Sequence, residues 1–184
     1  GGGLRHAGDG DLDLPADGTA VLCADGNFFD YLRSFCKCRV ISVSGTGDAD
    51  YISRAVPGDQ NSFDVAEKST GETRRVTIPI PGHHNVLNAV FAVATTRAHG
   101  MKWDAIVAAL GRFNPLPMRW QEDKTGGVTL INDAYNANPL SMRASIRTFA
   151  DRPLGGGKWL VLAGMLELGE REAHEHRTLG EFAG

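Results

Sequence analysis

Cysteine is scarce in this chain, and so are long apolar runs and any surplus of positive charge. Three cysteines, Cys23, Cys36 and Cys38, form an odd set without a paired Cys-x-x-Cys framework, which excludes a disulfide scaffold and a tetrahedral zinc site as organising features. Nothing local draws Cys36, Cys38 and His83 or His84 together as ligands, so no metal site is expected, and reduced thiols imply a cytoplasmic location. A formal charge of −3 and a pI near 6.1 leave no concentrated basic face for nucleic acid, although a local site for a small anion needs no global charge. No apolar run approaches the length that spans a bilayer, and Gly1-Gly2-Gly3-Leu4-Arg5 has no signal-peptide core. Also missing is a Gly-x-x-x-x-Gly-Lys-Ser/Thr phosphate loop. Gly155-Gly156-Gly157-Lys158 comes nearest, but its first glycine is absent, Trp159 stands where Ser or Thr is required, and the run precedes an apolar stretch instead of following one.

What is present is ample core material, 42% hydrophobic residues in 184, enough for one domain or two small ones. Thr19 to Ala24 reads as a strand, Phe28, Phe29, Leu32 and Phe35 share a helical face, and Arg39 to Val43 reads as the next strand of a β-α-β unit. Between about 50 and 80 the pattern alternates, as in Ser62-Phe63-Asp64-Val65, and predicts short antiparallel strands. Val86, Val90, Val93 and Ala94 line one face of a helix closed by Gly100, and a second helix runs from Trp103 to Leu110. Phe113-Asn114-Pro115-Leu116-Pro117 is a stiff connector, which divides the chain into expected domains 1–114 and 115–184. Beyond it, Val128 to Ile131, Leu140 to Ala150 and Trp159 to Ala163 repeat strand, helix, strand, a pattern that predicts parallel pairing.

Two polar segments stand at element junctions. Ile131-Asn132-Asp133-Ala134-Tyr135-Asn136-Ala137-Asn138-Pro139 lies between a strand and a helix, where open α/β sheets gather ligands and helix N-termini offer unpaired N–H groups. The plainer alternative is an Asx-rich turn in which Asn138 caps the helix. Pro81-Gly82-His83-His84-Asn85-Val86-Leu87-Asn88-Ala89 opens another helix. Asn85 and Asn88 share a face there, and an amide both donates and accepts, as a purine edge requires; equally, Asn85 could be a cap and Asn88 a polar spacer.

Together with Met165-Leu166-Glu167-Leu168-Gly169, followed by His176 and Gly180, these segments resemble the Mur ligase superfamily in order and spacing over roughly residues 12 to 180. The resemblance implies an α/β chain: the rear part of a central ATP-binding domain followed by the first half of a Rossmann-like C-terminal domain. It implies ATP and Mg²⁺ as cofactors and a peptide ligase of cell-wall precursor synthesis, in which a carboxylate is phosphorylated and an amine attacks the acyl phosphate. The Tyr135-Asn136-Ala137-Asn138-Pro139 run resembles the dipeptide-adding branch, whose partners are UDP-N-acetylmuramoyl-tripeptide and D-alanyl-D-alanine.

Carried over residue by residue, the resemblance makes Asn85 and Asn88 adenine contacts, His84 the histidine beside them, Arg119 a phosphate contact and Asp133 the ribose acceptor. It sets Tyr135, Asn136 and Asn138 on the substrate side. Each has a plainer reading: Arg119 as a solvated surface residue, Asp133 as a turn carboxylate, Tyr135 as core cover, and His176 as a packing residue of an amphipathic helix. Met118 replaces the family's glycine before the arginine, and Ala163-Gly164 replaces a Gly-Asp pair, so no carboxylate stands at that place. With no phosphate loop in these residues, the chain is expected to be a fragment that does not turn over alone and that associates with itself. A non-catalytic nucleotide-binding or interaction module is the competing reading.

Overall fold

The computed structural model describes residues 15–153 and 155–184. Two compact units emerge, one comprising residues up to 78 together with 86–112, the other 79–85 together with 113–184.

The first unit is built on a five-stranded sheet in sequential order, β1 (Thr19–Cys23), β2 (Arg39–Ser44), β3 (Tyr51–Val56), β4 (Asp59–Glu67) and β5 (Thr73–Thr77). Helix α1 (Phe29–Phe35) carries the crossover that parallel pairing of β1 and β2 demands. Strand β3 is also parallel to β2 but needs no crossover, because it starts where β2 ends and shares only the Val43↔Tyr51 and Ser44↔Ile52 pairs. From β3 onward the sheet is antiparallel, as the alternating sequence predicts, and Gly58 turns β3 into β4 with φ +78°. Inward residues Val43, Phe63, Val65 and Val76 are fully buried. Helix α2 (His83–Ala98) presents Ala89, Val90, Val93 and Ala94 as its buried stripe, and α3 (Trp103–Gly111) buries Trp103 and Ile106. Removing Phe63 to alanine would cost roughly 3–5 kcal/mol by loss of transfer free energy plus cavity. The apolar face expected of α1 forms and is covered only in part among the described residues: Phe29 and Phe35 are half-buried, whereas Phe28 and Leu32 of that face, and Tyr31 beside it, are exposed.

The second unit holds an antiparallel hairpin of β6 (Gln121–Thr125) and β7 (Val128–Asn132), with Gly126 and Gly127 both at positive φ in the two-residue turn. Helix α4 (Pro139–Ala150) and helix α5 (Glu172–Ala183), the latter preceded by a 3-10 turn over Gly169–Arg171, pack around Ile146, Met165 and Leu179. The expected third strand, 159–163, is not formed, and the predicted parallel pairing with 128–131 is replaced by the β6–β7 hairpin. A strand exists only by hydrogen bonding to a neighbour, and this segment has no ladder among the described residues; its side chains stand exposed.

Candidate functional site

The connector ends in a turn that delivers Arg119. Its two neighbours, Met118 and Trp120, both adopt left-handed backbone conformations, with φ of +60° and +48°, a region that side chains oppose. Contacts with the segment after β7 hold this turn. The Tyr135 N–H donates to the Met118 carbonyl at 3.1 Å, and the Trp120 N–H donates to Asp133 Oδ1 at 3.1 Å. The Arg119 guanidinium lies 4.3 Å from the centre of the Tyr135 ring. Trp120 is buried and anchors the base of the turn, its indole N–H donating to Glu122, which also pairs with Arg152.

His84 joins the same unit through Gly82, which sits at φ +109°. A Cβ on Gly82 would lie 2.9 Å from His84 Cε1 and 2.9 Å from Thr148 Oγ1, so only glycine lets the imidazole approach α4. Burial pushes the His84 pKa down; the Asp133 carboxylate opposes this, while His83 and Arg119 reinforce it, leaving a neutral ring. Its Nδ1 is buried with no hydrogen-bond partner among the described residues. Asn85 spends its amide N–H on the Pro81 carbonyl at 2.8 Å, while Asn88, one turn along α2, is exposed. His83 is exposed as well.

On the α4 side, Asn138 is an N-cap in a full capping box: its Oδ1 accepts the Ser141 N–H at 2.9 Å, and Ser141 Oγ accepts the Asn138 N–H at 3.2 Å. Asn136 Oδ1 accepts the N–H of Ala137. Further on, His176 bridges backbone to backbone. Its Nε2 accepts the Met165 N–H at 2.8 Å and its Nδ1 faces the Glu172 carbonyl at 2.8 Å, an arrangement that requires the proton on Nδ1. His176 also lines an open groove of about 480 Å³ with Gly169, Glu170, Glu172 and Ala173. Glu167, in the same turn, has φ +61°.

Two polar clusters of the first unit escape sequence reasoning. At the carboxyl ends of β1 and β2, Asp25 accepts from the Ser44 hydroxyl, the Gly45 N–H and the Thr46 hydroxyl; burial would raise its pKa, but these bonds win and hold it below the ordinary value. The available signal was an aspartate after one strand and a Ser-Gly-Thr-Gly run after the next. Beside α3, the buried Glu67 accepts from Tyr51, Arg97 and Trp103. Among the described residues no three His, Cys, Asp or Glu side chains come together to hold a metal ion.

Residues 12–96 match the Mur ligase middle domain and residues 111–183 the Mur ligase glutamate ligase domain. The UDP-N-acetylmuramoyl-tripeptide–D-alanyl-D-alanine ligase of Bacillus subtilis (strain 168) is 41% identical over 169 residues, covering 91% of this chain and 36% of that protein. MurF from Acinetobacter baumannii superimposes with a TM-score of 0.82 at 29% identity, over 91% of this chain and 36% of that one. MurF ligase from Thermotoga maritima, solved in complex with ADP, shares the fold with a TM-score of 0.76 at 22% identity, over 91% of this chain and 38% of that one. The chain thus spans little more than a third of the length of the relatives it matches.

Proposed function

Because this chain belongs to the Mur ligase family, we propose that it supplies nucleoside-binding residues of an ATP-dependent ligase that joins D-alanyl-D-alanine to UDP-N-acetylmuramoyl-tripeptide in peptidoglycan precursor synthesis. The reading rests on the convergence, within one compact unit, of Arg119, Asp133, Tyr135 and His84, residues far apart in the chain. Arg119 makes no ion pair among the described residues, so its fork of donors is free for phosphate oxygens. Asp133 gives one oxygen to the Trp120 N–H and keeps the other for a ribose hydroxyl. Asn85 Oδ1 is the group for the adenine edge within this unit, and neutral His84 adds no charge beside it. Asn136 and the remaining Nδ2 of Asn138 are assigned to the peptide substrate, with α4 fixing their backbone.

The reaction passes the γ-phosphoryl of ATP to the peptide carboxylate, and the amine of D-alanyl-D-alanine then displaces phosphate from the acyl phosphate. Charge neutralisation dominates such chemistry, and Arg119 is the cation this chain contributes. Mg²⁺ would screen the ATP phosphates, and no described residue is assigned to it. The run Tyr135 to Pro139 and the B. subtilis relative support the dipeptide-adding reaction over other reactions of the family.

Titration calorimetry with ADP tests the site. The chain is expected to bind ADP, and Arg119→Ala and Asp133→Ala are each expected to weaken binding about tenfold, equivalent to roughly 1.4 kcal/mol. No heat at millimolar ADP, or affinity indifferent to both substitutions, would overturn the reading.

A further inference from the structure

We infer that Tyr135 is a positioning residue: its ring is the platform that holds Arg119 for phosphate, and it does not itself touch the nucleoside or the peptide. This deepens the nucleotide-site reading above and rests on it. The geometry supplies three ties between the Arg119 turn and the segment after β7. Two are backbone bonds, from the Tyr135 N–H to the Met118 carbonyl and from the Trp120 N–H to Asp133, each 3.1 Å. The third is the stack of the guanidinium on the Tyr135 ring at 4.3 Å.

All three are needed because of what flanks Arg119. With Met118 and Trp120 both in the left-handed region, the turn stores conformational strain and would relax if nothing pinned it, taking the guanidinium with it. Arg119 is exposed and without an ion pair among the described residues, so no carboxylate fixes its four-bond side chain. A ring under the guanidinium face does so without consuming donors. Stacking uses the π face, whereas the N–H groups that read phosphate lie in the plane at the edge. A carboxylate partner would fix Arg119 equally well but would compete with phosphate for the same edge. The Tyr135 hydroxyl makes no hydrogen bond among the described residues, so the ring carries the role.

The test uses the full chain, with ADP and adenosine as probes in titration calorimetry and the Arg119 side-chain proton shifts in NMR as a readout independent of ligand. Tyr135→Leu is expected to weaken ADP roughly fivefold, the range of an exposed cation–π contact, and to leave adenosine unchanged. Tyr135→Phe keeps both affinities, and Tyr135→Leu added to Arg119→Ala costs nothing further. The ring-current shift of the Arg119 methylenes persists in Tyr135→Phe and vanishes in Tyr135→Leu. Equal loss of ADP and adenosine in Tyr135→Leu would make the ring a nucleoside contact and overturn the proposal, as would an unshifted Arg119 signal in the wild-type chain. If Arg119→Ala leaves ADP binding intact, the nucleotide-site reading fails and this proposal with it; failure of Tyr135→Leu alone overturns only the positioning role.

Discussion

Met118 carries a backbone conformation that its own side chain opposes. At φ +60° a non-glycine residue gives up about 1–2 kcal/mol, whereas glycine in its place would lose roughly 0.5–1 kcal/mol more chain entropy on folding. Met118→Gly is therefore expected to raise unfolding stability by about 0.5–1 kcal/mol in urea titration. A destabilised variant would show that the thioether chain is worth more than the strain it imposes. The resemblance marks Met118 as standing where relatives carry glycine, but the strain itself is visible only in the backbone, at φ +60°. Nor was Gly82 legible in the sequence. Its need for glycine comes from φ +109° together with His84 and Thr148 closing on it from separate elements, a tertiary fact that no local pattern carries. Asn138 illustrates a third case, where both readings of the sequence draw on one side chain: its Oδ1 caps α4 through Ser141 while its Nδ2 makes no hydrogen bond among the described residues.

Among the elements, β4 shows how a pattern can be read and its consequence missed. Phe63, Val65 and Glu67 alternate onto the same face, so the pleat that buries the first two also buries the third. A carboxylate there must find partners, and Tyr51, Arg97 and Trp103 supply them from β3, α2 and the start of α3. Burial acts to raise the Glu67 pKa, but these hydrogen bonds and the Arg97 charge outweigh it and hold the group below its ordinary value of 4.5. Burial, aided by the bond to Glu67, pushes Tyr51 up to about 12. Glu67→Gln is expected to cost about 3 kcal/mol, because it strands Arg97 in a half-buried position. The pH dependence has a definite sign. Between the folded and unfolded pKa values the unfolded chain binds the proton first, so stability from Glu67 is complete above about pH 4.5 and is lost as pH falls through the lowered folded value. The gap in melting temperature between wild type and Glu67→Gln should therefore shrink on acidification; a constant gap down to pH 3 would remove the charge from the explanation. Helices α2, α3 and α4 were readable because each carries an apolar stripe or a cap within its own residues. Segment 159–163 was not readable, because strand composition states only a capacity to pair, and pairing depends on what lies alongside.

At the scale of the whole molecule the apolar surface left uncovered is the informative quantity. Val161 is 98% exposed, Trp159 87%, and Leu140 and Leu166 82% each, all within the second unit. Isolated exposed leucines are ordinary, but an apolar segment such as 159–163, without a hydrogen-bonded neighbour among the described residues, offers both an apolar face and unpaired backbone groups. Water solvates such a segment at a cost that a second copy can remove by pairing with it. Burying Trp159 and Val161 in that way would return roughly 3–6 kcal/mol per copy, taking each side chain at about 1.5–3 kcal/mol, an amount set against the entropy of association. The balance predicts weak, concentration-dependent self-association in the micromolar to millimolar range. Sedimentation velocity across a concentration series should show a rising weight-average coefficient, and Trp159→Lys combined with Val161→Lys should abolish the rise, since like charges would then face each other whichever way two segments pair. Trp159 is also a reporter of the same event, because its emission should move to shorter wavelength as it leaves water. A coefficient that stays at the monomer value throughout, with unshifted emission, would mean that the ordering cost of the segment exceeds what its burial can return.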